Sequence, residues 1–166
     1  STLSSSSAAS DVYKRQSGLG YTVNVPLSAK RTDDDFVSIY RRLLQPVAIE
    51  YNPELILVSA GFDTHRDDPI GGMLLTEDGF SFLTDIAVET AEACCNGRIV
   101  FALEGGYDLS AVRRSTKVML ETMQNGLPKK TATKFTKLQD KNAPVADVIE
   151  TVKDDLKPYW KCFRNV

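Results

Sequence analysis

The sequence predicts an α/β fold with a parallel sheet and flanking helices. Segments of strand-like composition alternate along the chain with segments in which apolar residues recur at helical spacing. Two of the strand-like segments, 54–60 (ELILVSA) and 98–103 (RIVFAL), are almost continuously apolar, which is typical of parallel strands covered on both faces. A chain of 166 residues, 42% hydrophobic and 25% charged, is large enough for one domain with its own core.

The elements follow in order from residue 18. A β-rich segment at 21–25 predicts a first strand, and helical spacing with three leading aspartates predicts a helix at 33–51, which Pro46 should kink or split. The two apolar strands alternate with further predicted helices, and a lysine-rich stretch without an apolar period is predicted to be a surface connection. The predicted helices are 76–95, ended by Asn96-Gly97, then 109–125, followed by Gly126, and 144–156; the connection is 127–142.

Charge and composition exclude several classes of protein. With 20 basic and 22 acidic residues, the chain lacks the positive charge on which general nucleic-acid binding depends, and no apolar run approaches the roughly 20 residues of a membrane span. The three cysteines lack metal-ligand spacing, so we expect reduced thiols and a location in the cytoplasm, or in the nucleus of a eukaryote. Residues 1–17 are serine-rich and are expected to be a disordered or foreign tail.

Chemistry is expected beyond the carboxyl ends of the two apolar strands, where parallel sheets bind ligands. Asp63 follows the first of these strands and can reach a cation there, although a turn or cap aspartate is the alternative. Tyr107 follows Gly105 and Gly106 in the loop after the second strand. Its phenol is neutral at pH 7 and can donate a hydrogen bond to an oxyanion, with a packed turn tyrosine as the alternative.

Three other polar residues of the first loop allow weaker interpretations. His65 could act as a general base, but a loop or surface histidine is favoured, and Asp67 and Asp68 beside Pro69 more often set a turn than bind a metal. A magnesium-dependent phosphoryl-transfer domain that uses Asp63, Asp67 and Asp68 remains an alternative.

Two motifs make the sequence specific. SAGFDTHRDDPIGGMLLTEDGF (59–80) and LEGGYDL (103–109) resemble the zinc-dependent histone deacetylase family, which includes bacterial acetoin-utilisation and acetylpolyamine relatives. GYTVNVPL and the closing PYWKCF are similar to its class II branch. The resemblance implies an arginase-like α/β domain, of which residues 18–166 would be the C-terminal part.

The resemblance also implies roles for individual residues. Asp63 would be one of three zinc ligands, Tyr107 the donor to the tetrahedral oxyanion, and Gly105 and Gly106 part of the acyl-lysine tunnel, with Ile70 at its rim. The apolar Ile70 favours acetylated lysine in a protein over an acetylated polyamine as the substrate. The implied reaction is amide hydrolysis, in which zinc polarises the acetyl carbonyl and activates water.

The remaining elements of the implied site are not in this chain. The family's second Asp and its His ligand, in an Asp-x-His element, and its general-base His-His pair would lie upstream, whereas the one histidine here falls within the downstream motif. We therefore expect an isolated chain that is inactive. An acetylpolyamine deacetylase, an acetoin-utilisation-type relative and a catalytically dead binding module remain alternatives.

Overall fold

The structure is a computed structural model that describes residues 20–135 and 145–164. Two strands, β1 (Ile56–Ala60) and β2 (Ile99–Leu103), pair in parallel, with Ile56 opposite Ile99 and Ala60 opposite Leu103. The other described elements are helical. They are α1 (Asp33–Ile39), a π-helical segment (Tyr40–Leu44), α2 (Gln45–Tyr51), α3 (Glu77–Cys95), α4 (Leu109–Asn125), α5 (Lys129–Phe135), α6 (Ala146–Leu156) and a closing 3₁₀ turn (Lys161–Phe163).

The α/β class and most element boundaries are confirmed. Helix α3 connects the two parallel strands and packs against α4. It ends where the sequence predicts, at Asn96, whose positive φ of 51° is the left-handed conformation that closes helices. Helix α4 runs from the Asp108 cap, whose side chain accepts the Ala111 N–H, to Gly126.

The first predicted strand is wrong. Residues 21–25 form no strand and pair with none among the described residues. Val23 and Val25 instead pack their side chains against the apolar cluster around α6. A β-rich composition makes a strand only where a neighbouring backbone supplies the ladder of hydrogen bonds, and this segment has none here.

Pro46 acts through a wider turn and does not divide the helix. The chain is helical from Asp33 to Tyr51, but Tyr40–Leu44 is π-helical and the Gln45 N–H donates to the Tyr40 carbonyl, five residues back. Proline has no N–H to donate, and its ring would clash with the carbonyl four residues earlier in a regular helix. The widened turn just before Pro46 removes that conflict.

The lysine-rich stretch 127–142 contains a helix where a connection is predicted. Helix α5 occupies Lys129–Phe135 and contacts α3, and the Thr131 hydroxyl donates to Asp78 (3.4 Å). Residues 136–142 lie outside the described part of the chain.

Within the described residues the sheet is covered on one face only, which corrects the expectation of two buried faces. Val58 and Phe101 point toward the interior, whereas Leu57 and Val100, opposite each other in the register, are 72% and 51% exposed. The interior side rests on Phe62, Leu75, Phe80 and Met119. A second cluster joins Leu43 to α6 and includes Trp160, which is 5% exposed.

Two smaller features concern the cysteines and membranes. The three cysteines, Cys94, Cys95 and Cys162, are all free. Among the described residues, no helix combines the length and apolar character that a bilayer crossing requires.

Candidate active site

The loops that follow β1 and β2 lie side by side. The Phe62 N–H donates to the Gly105 carbonyl (2.9 Å), and the Glu104 N–H donates to the Ala60 carbonyl (3.1 Å). Phe62 is 2% exposed and meets Phe80 edge-to-face, so the first loop is anchored in the core just before Asp63. The parallel register therefore brings both predicted site loops to one edge of the sheet, as expected.

Asp63 presents its carboxylate to the second loop. A Cβ placed on Gly105 would lie 3.4 Å from Asp63 Oδ2, and one on Gly61 would lie 3.2 Å from Oδ1. No hydrogen bond or ion pair to this carboxylate is found within residues 20–135 and 145–164. The side chain is half-buried, so it is partly desolvated and open to a cationic ligand.

Tyr107 extends from the second loop into solvent, with 62% of its surface exposed. The turn before it requires glycine at position 106, where φ is +133° and a Cβ would lie 2.3 Å from a methyl group of Val112. Asp108, immediately after the tyrosine, caps α4. The phenol is thus carried by a turn held on both sides.

Asp68 connects the two loops. Its Oδ1 accepts the N–H groups of Ile70 (2.9 Å) and Gly71 (3.0 Å), and its Oδ2 accepts the N–H of Tyr107 (2.7 Å). Burial acts to raise the pKa of the Asp68 carboxyl, but the donors at Tyr107, Ile70 and Gly71 outweigh it and hold that pKa below its usual range. The predicted turn is confirmed, and the contact with Tyr107 goes beyond it.

His65 is buried among Asp67, Glu77 and Phe80, which corrects the surface interpretation. Its side chain is 0% exposed and its ring is parallel to Phe80, with centroids 6.2 Å apart. Nδ1 accepts the Asp67 N–H (3.0 Å), and Nε2 lies 3.4 Å from Glu77 Oε1. A ring nitrogen that accepts leaves the proton on the other, so Nε2–H faces Glu77. Nδ1 is occupied by the Asp67 N–H, while Nε2 is buried beside Glu77 and makes no hydrogen bond to the described residues, so a general-base role here is not supported.

Arg114 of α4 binds the same loop through its guanidinium group. It donates to Asp67 (2.7 Å) and to Glu77 at the start of α3. Burial acts to raise the pKa of Glu77, but Arg114 and the neighbouring His65 lower it overall. Asp67 is therefore engaged in an ion pair, and Asp68 in backbone hydrogen bonds. The arrangement does not support the magnesium alternative, because two of its three carboxylates are already occupied.

Ile70 and Gly71 complete the first loop. Ile70 is 68% exposed beside the Asp68 turn, so its apolar side chain is available to a ligand. Gly71 was not singled out by the sequence, yet a Cβ there would lie 1.7 Å from the Asp63 carbonyl oxygen. Only glycine allows this approach. The Gly71-Gly72 pair was the signal that could have revealed it.

The described residues do not complete a metal site. They contain no group of three or more His, Cys, Asp or Glu side chains placed to hold a metal ion. The open carboxylate of Asp63 fits one coordination position of a zinc ion, and His65 cannot supply a second because it faces Glu77.

Comparison with known proteins assigns the family. Residues 6–123 match the sequence profile described as the histone deacetylase domain. The chain belongs to the histone deacetylase family. The matched range begins within residues 1–17, which the sequence set apart as a tail and which lie outside the described residues, so that boundary stays a prediction.

Histone deacetylases and a polyamine deacetylase are among the similar proteins. A probable deacetylase of Archaeoglobus fulgidus is 34% identical over 167 residues, covering 89% of this chain and 44% of its own length. Human polyamine deacetylase HDAC10 is 34% identical over 159 residues, covering 93% of this chain and 22% of its own length. The solved structure of the histone deacetylase Clr3 superposes with a TM-score of 0.73 at 33% identity, covering 89% of this chain and 23% of that one. This chain thus spans less than half the length of each of these histone deacetylase relatives.

Proposed function

We propose that this chain supplies the Asp63 and Tyr107 side of the active site of a zinc-dependent deacetylase that hydrolyses the amide of acetyl-lysine in proteins. One observation carries the proposal. The loops that bear an exposed phenol and a carboxylate with no partner among residues 20–135 and 145–164 are hydrogen-bonded to each other at the carboxyl ends of two parallel strands. Family membership supports deacetylase-type chemistry at this place.

Asp63 would hold one ligand position on zinc. Its carboxylate is partly desolvated, and a negative charge in such a place is best compensated by a bound cation. When bound, zinc polarises a carbonyl and lowers the pKa of a coordinated water. The backbone of Gly105 lies against the same carboxylate, so its lack of a side chain leaves the approach to Asp63 open.

Tyr107 would donate its phenolic hydrogen to the oxygen of the acetyl carbonyl as negative charge develops there. A phenol carries one hydrogen that it can donate in a hydrogen bond. The exposed side chain and the fixed turn allow the phenol to project toward a substrate beside Asp63. A hydrogen bond that is stronger to the developing oxyanion than to the substrate carbonyl lowers the activation barrier and does not only strengthen substrate binding.

Ile70 favours acetyl-lysine in a protein as the substrate. A free polyamine carries additional ammonium groups, which an acidic residue beside the entrance would recognise, whereas Ile70 is apolar and exposed. The human relative is a polyamine deacetylase by name, so the acetylated polyamine is the competing substrate.

We also propose that the chain alone does not hold zinc at one ion per molecule, since catalytic zinc sites use three protein ligands and the described residues offer Asp63 alone. Atomic absorption on purified protein tests this. A stable content near one zinc per chain, together with hydrolysis of an acetyl-lysine peptide, would contradict it.

The deacetylase proposal is tested in a chimera, in which this chain replaces the residues of Clr3 with which it superposes. The expected result is zinc-dependent hydrolysis of an acetyl-lysine peptide, faster than hydrolysis of an N-acetylated polyamine at equal concentration. Asp63→Asn is expected to lose zinc and activity together. A folded chimera that binds zinc but hydrolyses neither substrate overturns the proposal, and a preference for the polyamine overturns the substrate assignment alone.

A further inference from the structure

We infer that Asp68 is a positioning residue for Tyr107, whose carboxylate fixes the tyrosine turn against the loop that carries Asp63. The importance of this role rests on the proposed function of Tyr107. The inference itself depends on three contacts of a side chain that is only 8% exposed.

The two oxygens of Asp68 serve different loops. Oδ2 accepts the N–H of Tyr107 at 2.7 Å, and this hydrogen bond joins residues that are 39 positions apart in the sequence. Oδ1 accepts the N–H groups of Ile70 and Gly71 within its own loop. A charged acceptor makes shorter and stronger hydrogen bonds than a neutral one, so the carboxylate is suited to hold a turn that has an exposed side chain.

Asp68 also connects Tyr107 to Asp63 through Gly71. Gly71 packs so closely on the Asp63 carbonyl that a Cβ would lie 1.7 Å from it, and the same Gly71 donates its N–H to Asp68. The backbone at Asp63, the Gly71 turn and the Tyr107 turn therefore form one connected unit. Movement of the Tyr107 turn relative to Asp63 requires a bond to Asp68 to break.

Asp68→Asn is expected to remove the hydrogen bond to Tyr107 and to keep the hydrogen bonds within the Asp68 loop. An amide has one oxygen and one NH₂ group, whereas each carboxylate oxygen here accepts a backbone N–H. The amide oxygen is expected to take the pair at Ile70 and Gly71, which leaves the NH₂ group facing the Tyr107 N–H. Two donors then oppose each other, and the Tyr107 turn is released while the Ile70 turn is kept.

The first test follows the Tyr107 amide by NMR in the full chain. Asp68→Asn is expected to move its proton resonance upfield and to accelerate its hydrogen exchange by about tenfold or more, as for loss of a bond to a charged acceptor. Asp67→Asn is the matched control, because its carboxylate contacts Arg114 and not Tyr107. An unchanged Tyr107 amide in a folded Asp68→Asn protein overturns the inference.

A second measurement needs no variant. In the wild-type chain, a scalar coupling between the Tyr107 nitrogen and the Asp68 carboxylate carbon is expected across the hydrogen bond, and its absence overturns the inference even if Asp68→Asn fails to fold.

A third test uses the chimera. Asp68→Asn is expected to lower kcat by about tenfold to a hundredfold with little change in KM, because the donor is misplaced while substrate binding is kept. Adding it to Tyr107→Phe should cost nothing further. Additive losses would overturn the positioning role. An inactive wild-type chimera would overturn the proposed function, while the two NMR readouts would still decide the role of Asp68.

Discussion

Tyr107 is the residue on which the proposed chemistry depends most directly. In the chimera, Tyr107→Phe should lower kcat by about 10²–10³ and leave KM and zinc content nearly unchanged, because the hydroxyl acts on charge that develops after binding. Steady-state kinetics with an acetyl-lysine peptide measure both constants. Tyr159→Phe is the control, since Tyr159 is a partly exposed tyrosine that packs on Gly20, and it should leave kcat unchanged. A loss confined to KM would contradict the oxyanion role.

Gly106 illustrates how backbone conformation supports the site. Gly106→Ala should destabilise the fold by about 3 kcal/mol, because it combines a left-handed φ of +133° with a contact of 2.3 Å to Val112. Gly126→Ala is the control for backbone conformation alone, since φ is +73° and ψ is −178° there and a Cβ would meet nothing within 4 Å, so a smaller loss of about 2 kcal/mol is expected. Urea unfolding compares the two variants. Equal losses would show that the steric contact with Val112 is not significant.

At the scale of elements, Asp33 ties the start of α1 to the start of α3. Its Oδ1 accepts the Thr76 N–H (2.8 Å), and its Oδ2 accepts the Thr76 hydroxyl (2.6 Å). Thr76 is the N-cap residue of α3, and its own side chain makes no cap hydrogen bond. A carboxylate from α1 therefore accepts a hydrogen bond from a backbone N–H at the start of α3, and its negative charge interacts favourably with the positive end of the α3 dipole.

Loss of this link should lower stability without changing the fold. Asp33→Ala leaves the partly buried Thr76 N–H without its acceptor and should cost about 2 kcal/mol, measured by urea unfolding. Asp34→Ala removes a neighbouring carboxylate of the same helical turn that is exposed, so a loss of only a few tenths is expected there. If both variants lost the same amount, the dipole of α1 and not the link to Thr76 would explain the effect.

Elements with local signals were predictable, and those that depend on distant partners were not. Helix α4 has its cap at Asp108 and its stop at Gly126, so its limits follow from adjacent residues. The 21–25 segment has strand composition but no pairing partner in the described part of the chain, and composition alone does not show whether a partner strand exists. The π-helical turn was predictable in part, because Pro46 indicated that the helix is irregular but not that the irregularity is a π-helical turn.

The same distinction applies to the candidate site. Asp63, Tyr107, Gly105 and Gly106 lie in motifs that a reader can recognise, and the parallel register brings their loops together as expected. The contact of Asp68 with Tyr107 crosses 39 positions, and the burial of His65 depends on Phe80 and Glu77, so neither follows from local sequence. A polar residue beside a motif therefore needs its tertiary contacts before it can be given a role.

At the scale of the whole molecule, the exposed sheet face should make the isolated chain associate. Leu57 and Val100 are cross-strand neighbours on that face, 72% and 51% exposed. Apolar side chains in a contiguous exposed patch favour association. The double variant Leu57→Glu, Val100→Lys places opposite charges across the register and should raise the monomer fraction measured by light scattering after size-exclusion chromatography.

The control for that prediction replaces an exposed leucine elsewhere. Leu120 on α4 is 55% exposed and lies outside the sheet, so Leu120→Glu should leave the association state unchanged. An isolated wild-type chain that stays monomeric at all concentrations would contradict the role given to the sheet face.

Acid should destabilise the fold through its carboxylates. Burial acts to raise the pKa of Asp68, Glu77 and Glu150, but all three pKa values are lowered overall. Backbone N–H donors lower the pKa of Asp68, and Arg114 lowers that of Glu77. Lys153 and Arg42 lower that of Glu150. For Glu50, the backbone N–H donors of Lys161 and Cys162 have the largest effects, and they lower the pKa of its carboxyl. Groups with a lowered pKa bind more protons in the unfolded state, so their stabilisation is complete above the ordinary carboxyl pKa of about 4 and is lost as pH falls through the lowered values.

Asp85 provides the opposite sign within the same molecule. Burial, and then the charge of Glu89, raise the pKa of Asp85, so its contribution favours the fold at low pH and declines as pH rises above about 4. Urea unfolding between pH 2.5 and pH 6 should therefore give a shallower acid loss for Asp68→Asn than for the wild type, and a steeper net rise of stability with pH for Asp85→Asn. If both variants changed the slope in the same direction, ionisation of these two carboxylates would not explain the pH dependence, because proton linkage requires their effects to have opposite signs.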